Sequence, residues 1–209
     1  AQSNESSLVE IDDGVFNYCR KLESISGIPS SIKRIGHSAF ENCVSLKELT
    51  FQTTQMNEKS SKMNSSDLFL EEIGNSAFSF CKSLKNLSSL PSSIRRIGRM
   101  AFSYCSELQS IKLDKDSQLK SISVDAFFHS GIVELMIPSS LDYLEEGWCR
   151  KTKFLTRIIL SNENKTFSYI NNSILIKRYS PFDFESIIND SVNSEYDEEE
   201  VEEEENYGD

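Results

Sequence analysis

The sequence predicts an α/β solenoid of about six stacked units, made of parallel strands and short helical turns and followed by a disordered acidic tail. Three observations predict it. One apolar pattern recurs six times, a polar insertion separates two of its copies, and the excess negative charge is confined to the end of the chain.

Self-similarity at a period of 20–50 residues marks a stacked-repeat architecture. Here Ile11, Ile35, Ile73, Ile97, Ile122 and Leu144 align, with Leu8, Ile32, Leu70, Ile94, Leu119 and Leu141 three residues earlier. Five residues later stand Phe16, Phe40, Phe78, Phe102, Phe127 and then Cys149, preceded by Val15, Ala39, Ala77, Ala101, Ala126 and Trp148. The eighth place holds Cys19, Cys43, Cys81 and Cys105, then Ser130 and Thr152. Each unit continues with a Leu-x-x-Leu-type pair: Leu22/Ile25, Leu46/Leu49, Leu84/Leu87, Leu108/Ile111, Ile132/Leu135 and Leu155/Ile158. The spacings are 24, 38, 24, 25 and 22 residues. The long one reflects a Ser-, Asn- and Lys-rich insertion at 52–67, read as a mobile loop because it has little to bury. The short one reflects a residue lost near Ser130-Gly131.

Each unit has its own local logic. Leu46-x-x-Leu49-x-Phe51 sends Leu49 and Phe51 to the same side, as a strand does. Pro29-Ser30-Ser31, Pro91-Ser92-Ser93 and Pro138-Ser139-Ser140 stop such strands and turn the chain. Ile94-Arg95-Arg96-Ile97-Gly98 reads as a second short extended stretch ended by Gly. Ala101-Phe102-x-x-Cys105 has the apolar spacing of one face of a helical turn. No unit buries its apolar face alone. Stacked copies pair their strands in parallel at about 4.8 Å and place the Phe residues in a column.

These residues resemble the BspA-like, or Treponema-type, leucine-rich-repeat family. The phrase from Ile35-Gly36-His37-Ser38-Ala39-Phe40 through Cys43-Val44-Ser45-Leu46-Lys47-Glu48-Leu49 is close to that family's repeat from end to end. The resemblance runs from Leu8 to Leu160, and Asn164 to Ile176 is similar to a closing segment found after the last repeat. It implies a surface-exposed or secreted protein that adheres to host cells or matrix proteins. The sixth unit departs from the pattern, with Cys149 in place of Phe and Trp148 in place of Ala.

The chain has 209 residues, 38% hydrophobic and 10% aromatic, enough to fill a core. No apolar run reaches the roughly 18–20 residues that span a bilayer. Ala1 to Ser7 is polar and lacks a signal-peptide pattern; a cleaved signal, a removed Met and a longer parent chain all remain consistent with it. Of the 33 acidic residues, 12 lie beyond position 184 together with none of the 22 basic ones, leaving 21 acids against 22 bases in the body. A neutral body has no electrostatic footprint for nucleic acid. From Glu195 to Glu205, nine of eleven residues are acidic, a composition that stays solvated and disordered. The organisation is therefore a flank at 1–7, a leucine-rich-repeat solenoid at 8–180 with a closing cap at about 161–180, and a tail at 181–209.

Little points to catalysis or metal binding. The cysteines form no C-x-x-C pair, and the two histidines, His37 and His129, have no clustered partner. Buried Cys acting as a small hydrophobe is the simplest reading, with a bridge between stacked neighbours as the alternative. No catalytic residue, metal ligand or cofactor site is expected. Recognition is expected on the solvent face of the Leu-x-x-Leu strands, where side chains alternate faces. That row contains Ser24, Ser26, Glu48, Thr50, Asn86, Ser88, Ser110, Lys112, Glu134, Met136, Arg157 and Ile159, with Arg157, Met136 and Ile159 as first anchors. A second row of Lys33, Arg34, Arg95, Arg96 and Lys120 offers either a site for acidic groups or a solvated edge. N-x-S/T patterns at Asn4, Asn64, Asn86, Asn164 and Asn171 favour a secretory route. The expected function is a protein-binding module at the cell surface or outside it, with a host cell or matrix protein as partner. The alternative is an intracellular, cytoplasmic scaffold that recruits a basic partner through its tail.

Overall fold

The computed structural model describes residues 8–51, 70–87, 90–113, 116–170 and 174–177. The flank at 1–7, the expected insertion loop at 52–67 and the tail at 181–209 lie outside them.

Each turn of the chain supplies two short strands. The first set is β1 (Glu10–Ile11), β3 (Arg34–Ile35), β5 (Glu72–Ile73), β7 (Arg96–Ile97), β9 (Ser121–Ile122) and β11 (Tyr143–Leu144). These form one six-stranded parallel sheet in that order. Its register pairs Ile11, Ile35, Ile73, Ile97, Ile122 and Leu144 in succession, the alignment read from the sequence. The second set is β2 (Ser24–Ile28), β4 (Glu48–Phe51), β6 (Asn86–Leu87), β8 (Ser110–Ile111), β10 (Glu134–Ile137) and β12 (Arg157–Leu160). They make two three-stranded parallel sheets, β2-β4-β6 and β12-β10-β8, joined by a parallel bridge between Leu90 and Leu113. In β2 a bulge separates the Ile25–Leu49 and Ile28–Phe51 pairs; Gly27 takes φ +72° there, a left-handed conformation that suits glycine. Finally β13 (Phe167–Ile170) pairs antiparallel with β14 (Ile174–Lys177).

The interior is one continuous column. Phe16, Phe40, Phe78, Phe102 and Phe127 stack with ring centroids 5.1, 5.3, 5.4 and 5.6 Å apart and planes within 10° of parallel. The last four rings are fully buried. The departure in the sixth turn has a packing solution, because Trp148 meets Phe127 edge-on at 6.1 Å and 88° and ends the stack. The Pro-Ser-Ser turns tie one coil to the one before. Hydroxyls of Ser31, Ser93 and Ser140 donate to the carbonyls of Leu8, Leu70 and Leu119 at 2.6, 2.9 and 2.8 Å. The backbones approach so closely at Gly74 that a Cβ there would lie 2.8 Å from the Gly36 carbonyl carbon.

The expected helical turns are not found, and the α/β reading gives way to a parallel β-solenoid. No helix occurs among the described residues. The physical reason lies in the Ala-Phe-x-x-Cys segment. Ser38, Asn42, Ser76, Phe80, Met100, Tyr104, Asp125 and His129 all have φ between 51 and 60°, two left-handed residues in each turn. That geometry interrupts a right-handed helix at a cost of about 1–2 kcal/mol per residue. Hydrogen bonds between turns offset it. Amides of Ser38, Phe40 and Asn42 donate to Asn75, Ala77 and Ser79 at 2.9, 2.8 and 2.8 Å. The intervening amides of Ala39, Glu41 and Cys43 close onto carbonyls three residues back.

The chain ties down its last coil through Asn164, which is 4% exposed. Its Nδ2 donates to the Pro138 carbonyl at 2.7 Å, and its Oδ1 accepts from the Thr166 and Phe167 amides at 2.9 and 2.7 Å. A carboxamide so engaged cannot carry a glycan in the folded chain, so this sequon gives no support to a secretory route.

Two substitutions test this account. Phe78→Ala leaves a void between two stacked rings and is expected to cost about 3–5 kcal/mol in urea unfolding, whereas Phe16→Ala, at the open end, costs less; equal effects would refute a continuous column. Asn164→Ala orphans the Thr166 and Phe167 amides and is expected to cost about 2 kcal/mol, measurable as a lowered denaturation midpoint.

Candidate functional site

With the column filling the interior, chemistry is left to the outside. The β2-to-β12 strands present the expected row. Ser24, Ser26, Glu48, Ser110, Lys112 and Arg157 are exposed, and Thr50, Glu134, Met136 and Ile159 are half-buried. Asn86 lies on β6 opposite Glu48, and Ser88 falls outside the described residues. The parallel register aligns these residues into rungs. Ser110, Glu134 and Arg157 are successive partners, and Met136 pairs with Ile159. The strands therefore bring most of the row onto one face.

Two of the expected anchors are less available than their residue types suggest. Arg157 Nη1 lies 3.0 Å from Glu134 Oε2, so its charge is matched within the face. Met136 packs partly against the core. Ion pairs beside the strands, Lys47–Glu23 at 2.8 Å and Lys85–Glu107 at 2.9 Å, follow the same cross-turn logic. At this end of the solenoid Val133 and Phe154 are exposed large apolar residues, 38% and 62% accessible. The repeat alignment singles out neither, because neither is apolar in other turns: Lys47 and Lys85 match Val133, and Ser45 and Ser83 match Phe154.

Three of the five residues of the second expected row, Arg34, Arg96 and Lys120, are ion-paired. In the six-stranded sheet Glu10, Arg34, Glu72 and Arg96 are successive cross-strand partners, so opposite charges alternate. Arg34 pairs with Glu10 at 3.3 Å and with Asp13, Arg96 with Glu72 at 2.6 Å, and Lys120 with Asp142 at 3.1 Å. The His37 backbone N–H and the Arg34 guanidinium hold Asp13 below the usual carboxylate range. The sequence shows the basic members of this ladder plainly, but their acidic partners come from other turns, 24 residues away for Arg34–Glu10 and Arg96–Glu72.

The repeat matches the model of the BspA type leucine rich repeat region, in six copies over residues 3–69 and 71–187. The chain belongs to the BspA-type leucine-rich-repeat family. Its solenoid is similar to that of the T. pallidum leucine-rich-repeat protein, with 25% identity and a TM-score of 0.62 over 75% of this chain and 64% of that one. It is also similar to the pneumococcal vaccine antigen PcpA, with 25% identity and a TM-score of 0.67 over 82% of this chain and 40% of that one. A leucine-rich cell surface protein from Faecalibacterium prausnitzii shares the fold at 24% identity and a TM-score of 0.55, over 83% of this chain and 47% of that one. This BspA-type chain thus spans less than two thirds of the length of each. No curated protein matches it.

In this BspA-type solenoid three of the five cysteines belong to the core. All five are free thiols. Cys43, Cys81 and Cys105 are buried, and each Sγ lies 3.1 Å from the carbonyl of Phe16, Phe40 or Phe78 on the preceding turn. Cys19 departs from the expectation that all four members of the column face the core. It is exposed, as are Val15 and Tyr18 at the same end. Burial pushes the Cys43 thiol up to about 11 and raises Cys81 and Cys105 as well. No cluster of three potential metal ligands exists among the described residues. A hollow beside the β13–β14 pair, lined by Ser139, Asp142, Asn164 and Lys165 among others, holds no His or Cys. No described helix is long and apolar enough to cross a membrane.

Thiol labelling provides a check. Cys19 is expected to react within minutes in the native protein, and Cys81 and Cys105 only on unfolding; native labelling of Cys105 would contradict the burial argument. The raised thiols also give stability a pH dependence of definite sign. Above the ordinary thiol value of 9.0 the unfolded chain loses these protons while the folded chain keeps them. The unfolded state then binds fewer protons, and stability falls as pH rises through 9. Thermal unfolding from pH 8 to 10 is expected to show a smaller decline in Cys81→Ala than in the parent.

Proposed function

We propose that this chain is a protein-binding module that acts outside the cell, on the cell surface or secreted, with a host cell or matrix protein as partner. The observation that carries this reading is the division of labour in the solenoid. Repeat positions that point inward are nearly invariant, whereas those on the β2-to-β12 face change from Ser24 and Glu48 to Met136, Arg157 and Ile159. Packing leaves those outward positions open to variation, and repeat proteins recognise partners on extended surfaces of this kind. The likeness to a vaccine antigen supports exposure outside the cell.

The face has the make-up of an interface with a modest apolar centre. Met136 and Ile159 supply apolar contact, while Arg157, Glu134 and Lys112 add charge beside it. The Arg157–Glu134 pair fixes the orientation of both heads, so a partner meets a matched pair. A second reading, an intracellular scaffold that recruits a basic partner, is favoured by the acidic run from Glu195 to Glu205.

The two readings part in one experiment. Protease added to intact producing cells is expected to remove the protein; full protection would eliminate the extracellular reading. Binding of the full chain to epithelial cells and to immobilised matrix protein is then compared with that of Met136→Asp/Ile159→Asp. Loss of tenfold or more in affinity, with unchanged circular dichroism, is expected if the face carries the contact. Equal binding by both proteins would remove the face from consideration.

A further inference from the structure

One row of side chains on the turn ridge does work that neither the binding face nor the core explains. It is the position after Gly36, Gly74 and Gly98 and its equivalent in the first turn: Asp13, His37, Asn75 and Arg99. In the first three turns the side chain here accepts a hydrogen bond from the backbone amide at the same position one turn later. Asp13 Oδ1 accepts from the His37 amide at 2.7 Å, His37 Nδ1 from the Asn75 amide at 2.9 Å, and Asn75 Oδ1 from the Arg99 amide at 3.0 Å.

The three acceptors differ in chemistry. The Asn75 carboxamide does not titrate, and Asp13 is held in its carboxylate form by its contacts with the His37 amide and Arg34. An imidazole accepts at Nδ1 only while that nitrogen is unprotonated, which requires the neutral Nε2–H tautomer. We propose that His37 is a proton-operated clasp between the second and third turns. Proton uptake turns Nδ1 into a donor that faces the Asn75 N–H, and two donors at hydrogen-bond distance cannot pair. The charged groups facing His37 are Asp13 from the first turn, which attracts the proton, and Arg34, itself bound to Asp13. The third turn presents the uncharged Asn75, with Arg99 one turn beyond. The carboxylate of Asp13 can stabilise the cation, but it cannot restore the link to Asn75. Proton uptake at Nδ1 therefore opens the clasp while the links on either side, made by Asp13 and Asn75, persist.

The test measures amide hydrogen exchange in the full chain at pH 7.5 and 5.5, each corrected for the intrinsic rate. Protection of the Asn75 amide is expected to fall by about tenfold at the lower pH, the loss of one net hydrogen bond. The Arg99 amide, whose acceptor does not titrate, keeps its protection. His37→Asn places at this site the group that already performs the role at Asn75, and is expected to hold the Asn75 amide protected at both pH values. Equal losses in the parent and His37→Asn, a parallel loss at Arg99, or no loss in the parent would each overturn the proposal. Should His37→Asn fail to fold, imidazole 15N shifts of the parent at pH 7.5 decide independently. An unprotonated Nδ1 supports the clasp, and a protonated Nδ1 overturns it.

Discussion

Face-to-face stacking of one phenyl ring per turn is the contact on which the rest of this solenoid depends. A coil of about two dozen residues encloses too little volume to bury its own apolar side chains. It does so only when the coil above and the coil below present the same side chain at the same height. That requirement propagates outward. Each coil must follow nearly the same path, Gly36, Gly74 and Gly98 must permit backbone contact, and the Ala before each fully buried Phe must remain small.

The stacking also dictates where the backbone hydrogen bonds go. On the sheet sides they follow ordinary parallel pairing. On the ridge the chain takes two left-handed residues per turn and directs alternate amides to the next coil. A helix there would satisfy its amides internally and leave neighbouring coils with nothing to share. The observed geometry costs backbone strain and gains continuity between turns. Cysteine fits the same scheme, since its small apolar side chain packs beside the ring and its thiol reaches the preceding turn's Phe carbonyl.

Surface charges obey the stacking too. Glu10, Arg34, Glu72 and Arg96 come from separate coils but lie in register, so what looks basic within one repeat is neutral across several. The Glu134–Arg157 pair on the opposite sheet arises in the same way. A residue on such a surface takes its character from the turns beside it, which is why Arg157 is a matched charge and why His37, with no partner nearby in the chain, is linked to Asp13 and Asn75. The six units, their order and the side chains of the core column were legible in the sequence because burial repeats the same demand at the same positions. The outward row was legible for a related reason: strand alternation assigns faces without knowledge of neighbours.

The amino-acid sequence by itself determined the repeat, its register and the residues buried in the second to fifth turns, since periodic apolar side chains carry that information locally. Only the tertiary structure decided that the ridge is strained coil, that Cys19 is exposed while its counterparts are buried, that Asn164 is a buried anchor, and which charges cancel. Each of these depends on what the adjacent coil places within a few ångströms. Spacing along one coil gives no measure of contacts between coils.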